Sequence, residues 1–150
     1  MTATNHALTG SVIGLAVGQP WLAVPLALLS HFVCDALPHY GAGSNAASTA
    51  RFKKMLILDT FGCFLVVLVL AIFQPQFWLL AAFCAFVAAS PDFMWVKRFL
   101  RAQRGEAEDP TPPILLRFHA KIQWFEKPSG IYFEIAWAVA AMILLKLIIV

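Results

Sequence analysis

Residues 55–73 read MLILDTFGCFLVVLVLAIF. Asp59 is the single charged side chain in this run. About 20 apolar residues, at ~1.5 Å rise each, cross the ~30 Å hydrocarbon core of a bilayer. The stretch therefore predicts a membrane helix, and the composition agrees. The chain has 150 residues, of which 61% are hydrophobic and 13% charged, and its mean hydropathy is +0.77. A soluble domain carries roughly 25% charged residues, so the surface charge that water requires is missing. The length suits one domain, read here as residues 1–150.

C-terminal to this run, Gln74-Pro75-Gln76 is a tight turn. Residues 77–96 form a further apolar helix, interrupted near its end by Ser90, Pro91 and Asp92. Residues 97–112 hold Lys97, Arg98, Arg101 and Arg104, then Glu106, Glu108 and Asp109, and read as a solvated linker. PILLRFHAKIQWFE, residues 113–126, mixes apolar and basic residues and predicts an amphipathic interfacial helix. Lys127-Pro128-Ser129-Gly130 breaks it, and residues 131–149 form the last apolar helix, with Glu134 near its start.

On the N-terminal side, YGAGSNAASTA at 40–50 is a small, polar loop followed by Arg51, Lys53 and Lys54. Residues 21–38 predict a helix with Pro25 in its first turns and Pro38 near its end. Gln19-Pro20 is a turn. Residues 6–18, HALTGSVIGLAVG, form a short apolar helix in which Gly10 and Gly14 make a GxxxG. That pattern permits close helix approach, although glycine is also simply frequent in membrane helices. Both early helices are short for a bilayer core, which predicts a partly embedded hairpin. The expected fold is thus an all-α integral membrane protein with four to five embedded helices and one interfacial helix. MTATNHALTG has no Lys or Arg before its first apolar run, so it lacks a basic signal start and is expected to stay in the mature chain. Cys34, Cys63 and Cys84 sit singly in apolar segments, form no CxxC, and read as reduced, packed thiols.

Positive charge marks the cytoplasmic side of short loops. The segment before residue 55 and the linker after 96 are basic, whereas the turns at Gln19-Pro20 and Gln74-Pro75-Gln76 are not. The N-terminus and the basic segments are therefore expected in the cytoplasm of a bacterial-type inner membrane, and the last helix runs outward. On this map His6, His31, Asp35, His39, Asp59, Asp92, His119, Glu126 and Glu134 all fall at cytoplasmic helix ends. The set contains all four histidines.

HFVCDALPHY, residues 31–40, spaces His31, Asp35 and His39 four apart, on one face of a continuing helix. His119 and Gln123 form a second such pair, with Glu126 on the same face. Neutral imidazole and carboxylate are ligands for a divalent metal, zinc first, with iron or manganese as alternatives. Intramembrane carboxylates are costly without a partner or a watery cavity, and helical bundles build metal sites from inward-facing acids and histidines. Plainer roles stay open: an ion pair for a lone aspartate, an interfacial position for His39, a surface position for His6, a helix cap for Asp92. Asp59 or Glu126 suits a proton acceptor, and Glu134 a supporting or substrate-facing place.

NHALTG at 5–10, the H-x3-D-x-L-P-H segment at 31–39 and SPDF at 90–93 resemble the small bacterial inner-membrane proteins described as membrane-bound metal-dependent hydrolases. The resemblance implies metal ligands at His6, His31, Asp35, His39, Asp92 and His119. The family often carries an HRGxTHS-like segment; the nearest His-containing stretch here, FHAKIQWFEKPSG at 118–130, does not match it. The expected function is a divalent-metal hydrolase at the cytoplasmic face, acting on a phosphoester such as a lipid head group, with Lys97, Arg98 and Lys121 available to attract an anion. The rivals are a proton or metal-ion transporter using the same residues and a non-catalytic, metal-stabilised scaffold. Nothing in the pattern reads nucleic acid: the basic residues flank membrane helices.

Overall fold

The computed structural model describes residues 1–41, 50–107 and 111–149. Most of the predicted loop at 40–50, and Glu108 and Asp109 of the predicted linker, lie outside these residues. Among these residues seven α-helices follow in order: α1 Ala3–Val17, α2 Pro20–Asp35, α3 Ala50–Phe73, α4 Trp78–Ala89, α5 Met94–Gln103, α6 Ile114–Ile122 and α7 Ile131–Ile149. A 3-10 turn, Ser90–Phe93, joins α4 to α5, and another, Pro128–Gly130, leads into α7. The described residues contain no strand, only an isolated bridge between His39 and Glu126.

Among the described residues, three segments are long and apolar enough to cross a membrane: Phe52–Phe73, Trp78–Gln103 and Pro128–Ile149. Their outward faces carry exposed Phe61, Phe64, Ile72, Phe83, Ile143 and Leu147, an arrangement that suits hydrocarbon and not water. The shorter, apolar α2 stands beside them.

α1 lies in the middle, packed against α2, α3, α4 and α7, and most extensively against α4. Its sequence explains this. Ala7, Gly10, Ser11 and Gly14 form a stripe of small residues, all buried. Ala81, Cys84, Ala85 and Ala88 supply the same on α4. A Cβ on Gly10 would come within 2.3 Å of the Cys84 carbonyl oxygen, and one on Gly14 within 2.4 Å of Ala81 Cα. The GxxxG is therefore a packing device, bringing two backbones closer than any side chain would permit. The apolar core continues through Leu8, Leu15, Val66, Leu70, Ala141 and Leu145. All three cysteines are free thiols; Cys34 and Cys84 are buried.

Several boundaries differ from the sequence reading. α2 stops at Asp35, not 38, because Leu37 precedes Pro38 and is pushed out of the helical region. His39 therefore leaves the His31–Asp35 stripe. α3 begins at Ala50, five positions ahead of the predicted start at 55. Residues 97–103 are not linker: helix α5 carries on to Gln103 and ends before Gly105, whose φ of +67° terminates it. α6 stops at Ile122 rather than 126. Beyond it the backbone pairs with the segment after α2, where the Lys127 N–H donates to the His39 carbonyl at 3.0 Å. Glu126 is thus off the helix, and its predicted face with His119 does not exist.

Candidate metal centre

The residues at issue gather at one end of the bundle, where α1 begins, α2 and α4 end, and α6 crosses. Asp35 is the hub. Its carboxylate is fully buried, a costly position unless every lone pair is engaged. Oδ1 takes the Met1 amino group and the His6 Nε2, the latter at 3.1 Å. Oδ2 takes His119 Nε2 at 2.7 Å and the Gln123 amide at 3.2 Å, and lies 3.4 Å from His31 Nε2. His31 and Asp35 face together because they are four apart on α2. His119 arrives from α6 and His6 from α1.

Asp92, on the 3-10 turn after α4, closes the group. Its Oδ1 is 3.9 Å from His31 Nε2 and 4.0 Å from His119 Nε2. Pro91 suits this turn because it sits where a helix start needs no N–H donor. His6, His31 and His119 are wholly buried, whereas the Asp92 side chain is 23% exposed. Asp92 therefore forms the mouth of the site.

The imidazoles are oriented from behind. His31 Nδ1 donates to the Ala88 carbonyl at 2.8 Å, which leaves Nε2 as a lone pair facing Asp35, the arrangement of a metal-ligating histidine. Trp95, on α5, donates its indole N–H to His119 Nδ1 at 3.1 Å. That places the His119 proton on Nε2, against Asp35 Oδ2 and 2.8 Å from His31 Nε2. For His119 to hold an ion through Nε2 the proton would have to move to Nδ1, and the Trp95 indole would then have to turn from donor to neighbour.

One ligand atom from each of His31, Asp35, Asp92 and His119 can be chosen so that all four lie within 4.8 Å of one another. Two ligands ~2.1 Å from one ion are about 3.4 Å apart in tetrahedral geometry and about 3 Å apart when adjacent in octahedral geometry. The histidine–carboxylate spacings within the group, from 2.7 to 4.0 Å, bracket those values. Two histidines and two carboxylates are a donor set for zinc, iron or manganese. The residues present fit a divalent metal.

Other predicted residues are placed elsewhere. His39 is buried but turned away, its Nδ1 donating to the Leu37 carbonyl at 2.8 Å. Glu126 is exposed beside the bridge. Glu134 accepts from the Tyr40 N–H at 3.0 Å through Oε1, and from the Thr2 N–H and the Asn5 amide at 3.3 Å each through Oε2. It ties α7 to α1 and to the segment after α2. Asp59 accepts from the backbone N–H groups of Ala3 and Thr4, both at 2.7 Å. It caps the α1 N-terminus from a neighbouring helix, answering donors that the first turn leaves open.

Asp59→Ala should therefore cost about 1–2 kcal/mol, as loss of a good cap does, with metal content unchanged. Thermal unfolding and elemental analysis of the purified variant check this; loss of metal would instead return Asp59 to the site.

Sequence reasoning missed Trp95 and Asn5. Trp95 lies three residues after Asp92, one helical turn on. That spacing lay within the helix read at 77–96, but nothing in it pointed to His119, which α6 brings from 24 residues on. No protein-family model matches the chain, and neither a curated protein nor a solved structure matches it.

Proposed function

We propose that this chain is a membrane-embedded, divalent-metal-dependent hydrolase acting on a phosphoester, such as a lipid head group. The observation that carries the reading is the convergence of His31, Asp35, Asp92 and His119 at one end of an otherwise apolar bundle. On this reading α1 and α2 form an embedded hairpin beside three spanning segments. The site opens at head-group depth on the cytoplasmic face of a bacterial-type inner membrane.

His31, Asp35 and His119 hold the ion, and Asp92 completes its surroundings at the mouth. A bound divalent cation would polarise a phosphoryl oxygen and strengthen water as a nucleophile. Asp35 supplies negative charge held rigidly by its hydrogen bonds. Asp92, the one group of the four with solvent access, is placed to accept the proton released when water attacks. It takes the part that Asp59 and Glu126 were expected to play. Lys121 is exposed two residues from His119 and adds positive charge for an anionic head group.

The buried ionisable groups among the described residues belong to this end of the bundle. A transporter needs them to continue through the membrane, so the enzyme reading is favoured over the ion pathway. The test is metal content of detergent-purified protein, followed by hydrolysis of phosphomonoester and phosphodiester lipids before and after chelation. The expected result is bound zinc, iron or manganese, with activity lost on chelation and restored by the ion while the helical content persists. Absence of metal after reconstitution with each ion would overturn the proposal. Retained metal without hydrolysis of any phosphoester would leave only the scaffold.

A further inference from the structure

Each of the two site carboxylates is divided between two sets of imidazoles. Asp35 directs Oδ2 to His31 and His119 but Oδ1 to His6, whose Nε2 is 3.1 Å away. Asp92 repeats the division: Oδ1 lies 3.9 and 4.0 Å from His31 and His119, while Oδ2 lies 4.0 Å from His6 Nε2. The His6 ring stacks on His31 with centroids 4.0 Å apart, so the two Nε2 atoms enter the same polar space side by side. His6 is wholly buried, yet its Nδ1 has no hydrogen-bond partner among the described residues. Here the ring engages through Nε2 alone, and Nε2 is aimed between two carboxylates.

The geometry points to a dinuclear centre, in which Asp35 and Asp92 bridge a first ion on His31 and His119 and a second ion on His6. This inference rests on the metal-site reading above and adds a second position to it. The His6 distances of 3.1 and 4.0 Å fall in the range found at the first position. Carboxylate-bridged ions in phosphoryl-transfer enzymes stand ~3.5–4 Å apart, a spacing that lets them hold both sides of one phosphoryl group. The Met1 amino group also lies against Asp35 Oδ1; a second ion would displace it or take it as a ligand. Charge narrows the substrate. Two carboxylates neutralise one divalent ion, so a second ion makes the centre cationic and matches it to an anionic phosphate, a phosphomonoester above all.

The test uses the detergent-purified full chain loaded with manganese(II), read by elemental mass spectrometry and by electron paramagnetic resonance. Wild type is expected to hold about two equivalents, with the exchange-coupled spectrum of neighbouring ions. His6→Ala is expected to hold half as much, with the six-line spectrum of an isolated ion. A wild-type stoichiometry of one at saturation, or a coupled pair retained in His6→Ala, would overturn the second position. If the variant fails to fold, the wild-type stoichiometry and coupling still decide. Failure of any ion to bind overturns both this inference and the proposed function. A single ion with phosphoester hydrolysis overturns only this one.

Discussion

Asp35→Asn is expected to empty the proposed metal centre. The side chain keeps its shape but loses its charge and becomes a donor where a donor already points. Supporting groups around a metal are worth 10–100-fold in affinity, so loss of the hub ligand should weaken binding by more than about 100-fold. On the proposed function, phosphoester hydrolysis should then fall to background. The protein should also lose stability, because the Met1 amino group and the surrounding imidazoles are left without their buried anion. Breaking a buried pair from one side costs about 3–5 kcal/mol. Metal analysis and thermal unfolding of the variant in detergent measure the two effects separately. Metal retained at wild-type stoichiometry would show that Asp35 is a structural acceptor and would remove it from the site.

Gly10→Val should disrupt the bundle itself. Its first added carbon would meet the Cys84 carbonyl oxygen at 2.3 Å and the Ala88 Cβ at 2.8 Å. The first obstacle is backbone, which cannot rotate aside, so α1 and α4 must separate. Overpacking of a tight interior costs about 1–3 kcal/mol, and the upper end or beyond is expected here. The effect should reach the metal. His6 lies one turn before Gly10 on α1, and Asp92 follows directly on α4, so separating the helices pulls two groups from Asp35 and its partners. A fall in melting temperature together with metal loss is the expected result. An unchanged melting temperature would mean that the helices do not approach as closely as described.

The two variants separate what each side chain contributes. Asp35 was visible as a candidate because helical periodicity places it beside His31. Its partnership with His119, 84 positions away in the chain, was not visible, since periodicity relates residues within one helix only. His39 illustrates the converse error. It shares the four-residue spacing, but Pro38 ends the helical conformation first, and the register lapses at Asp35. Glu126 failed for a related reason: α6 ends at Ile122, and backbone pairing with His39 takes the chain elsewhere. Asp59 and Glu134 were placed at the right end of the bundle with the wrong partners. Both answer backbone and amide donors near the start of α1.

The amino-acid sequence by itself determined that this is a helical chain suited to a membrane, and that its buried ionisable groups gather towards one end. Both follow from hydropathy and rise per residue, which sum along a helix without reference to its neighbours. Only the tertiary structure decided which of those groups meet. Convergence depends on the rotation of each helix about its axis and on how closely the axes approach. Those are set by the small-residue contact of α1 with α4 and by the turn that presents Asp92. Hydropathy carries no information about rotation, so the group of His31, Asp35, Asp92 and His119, with His6 beside it, emerges only when the helices are packed.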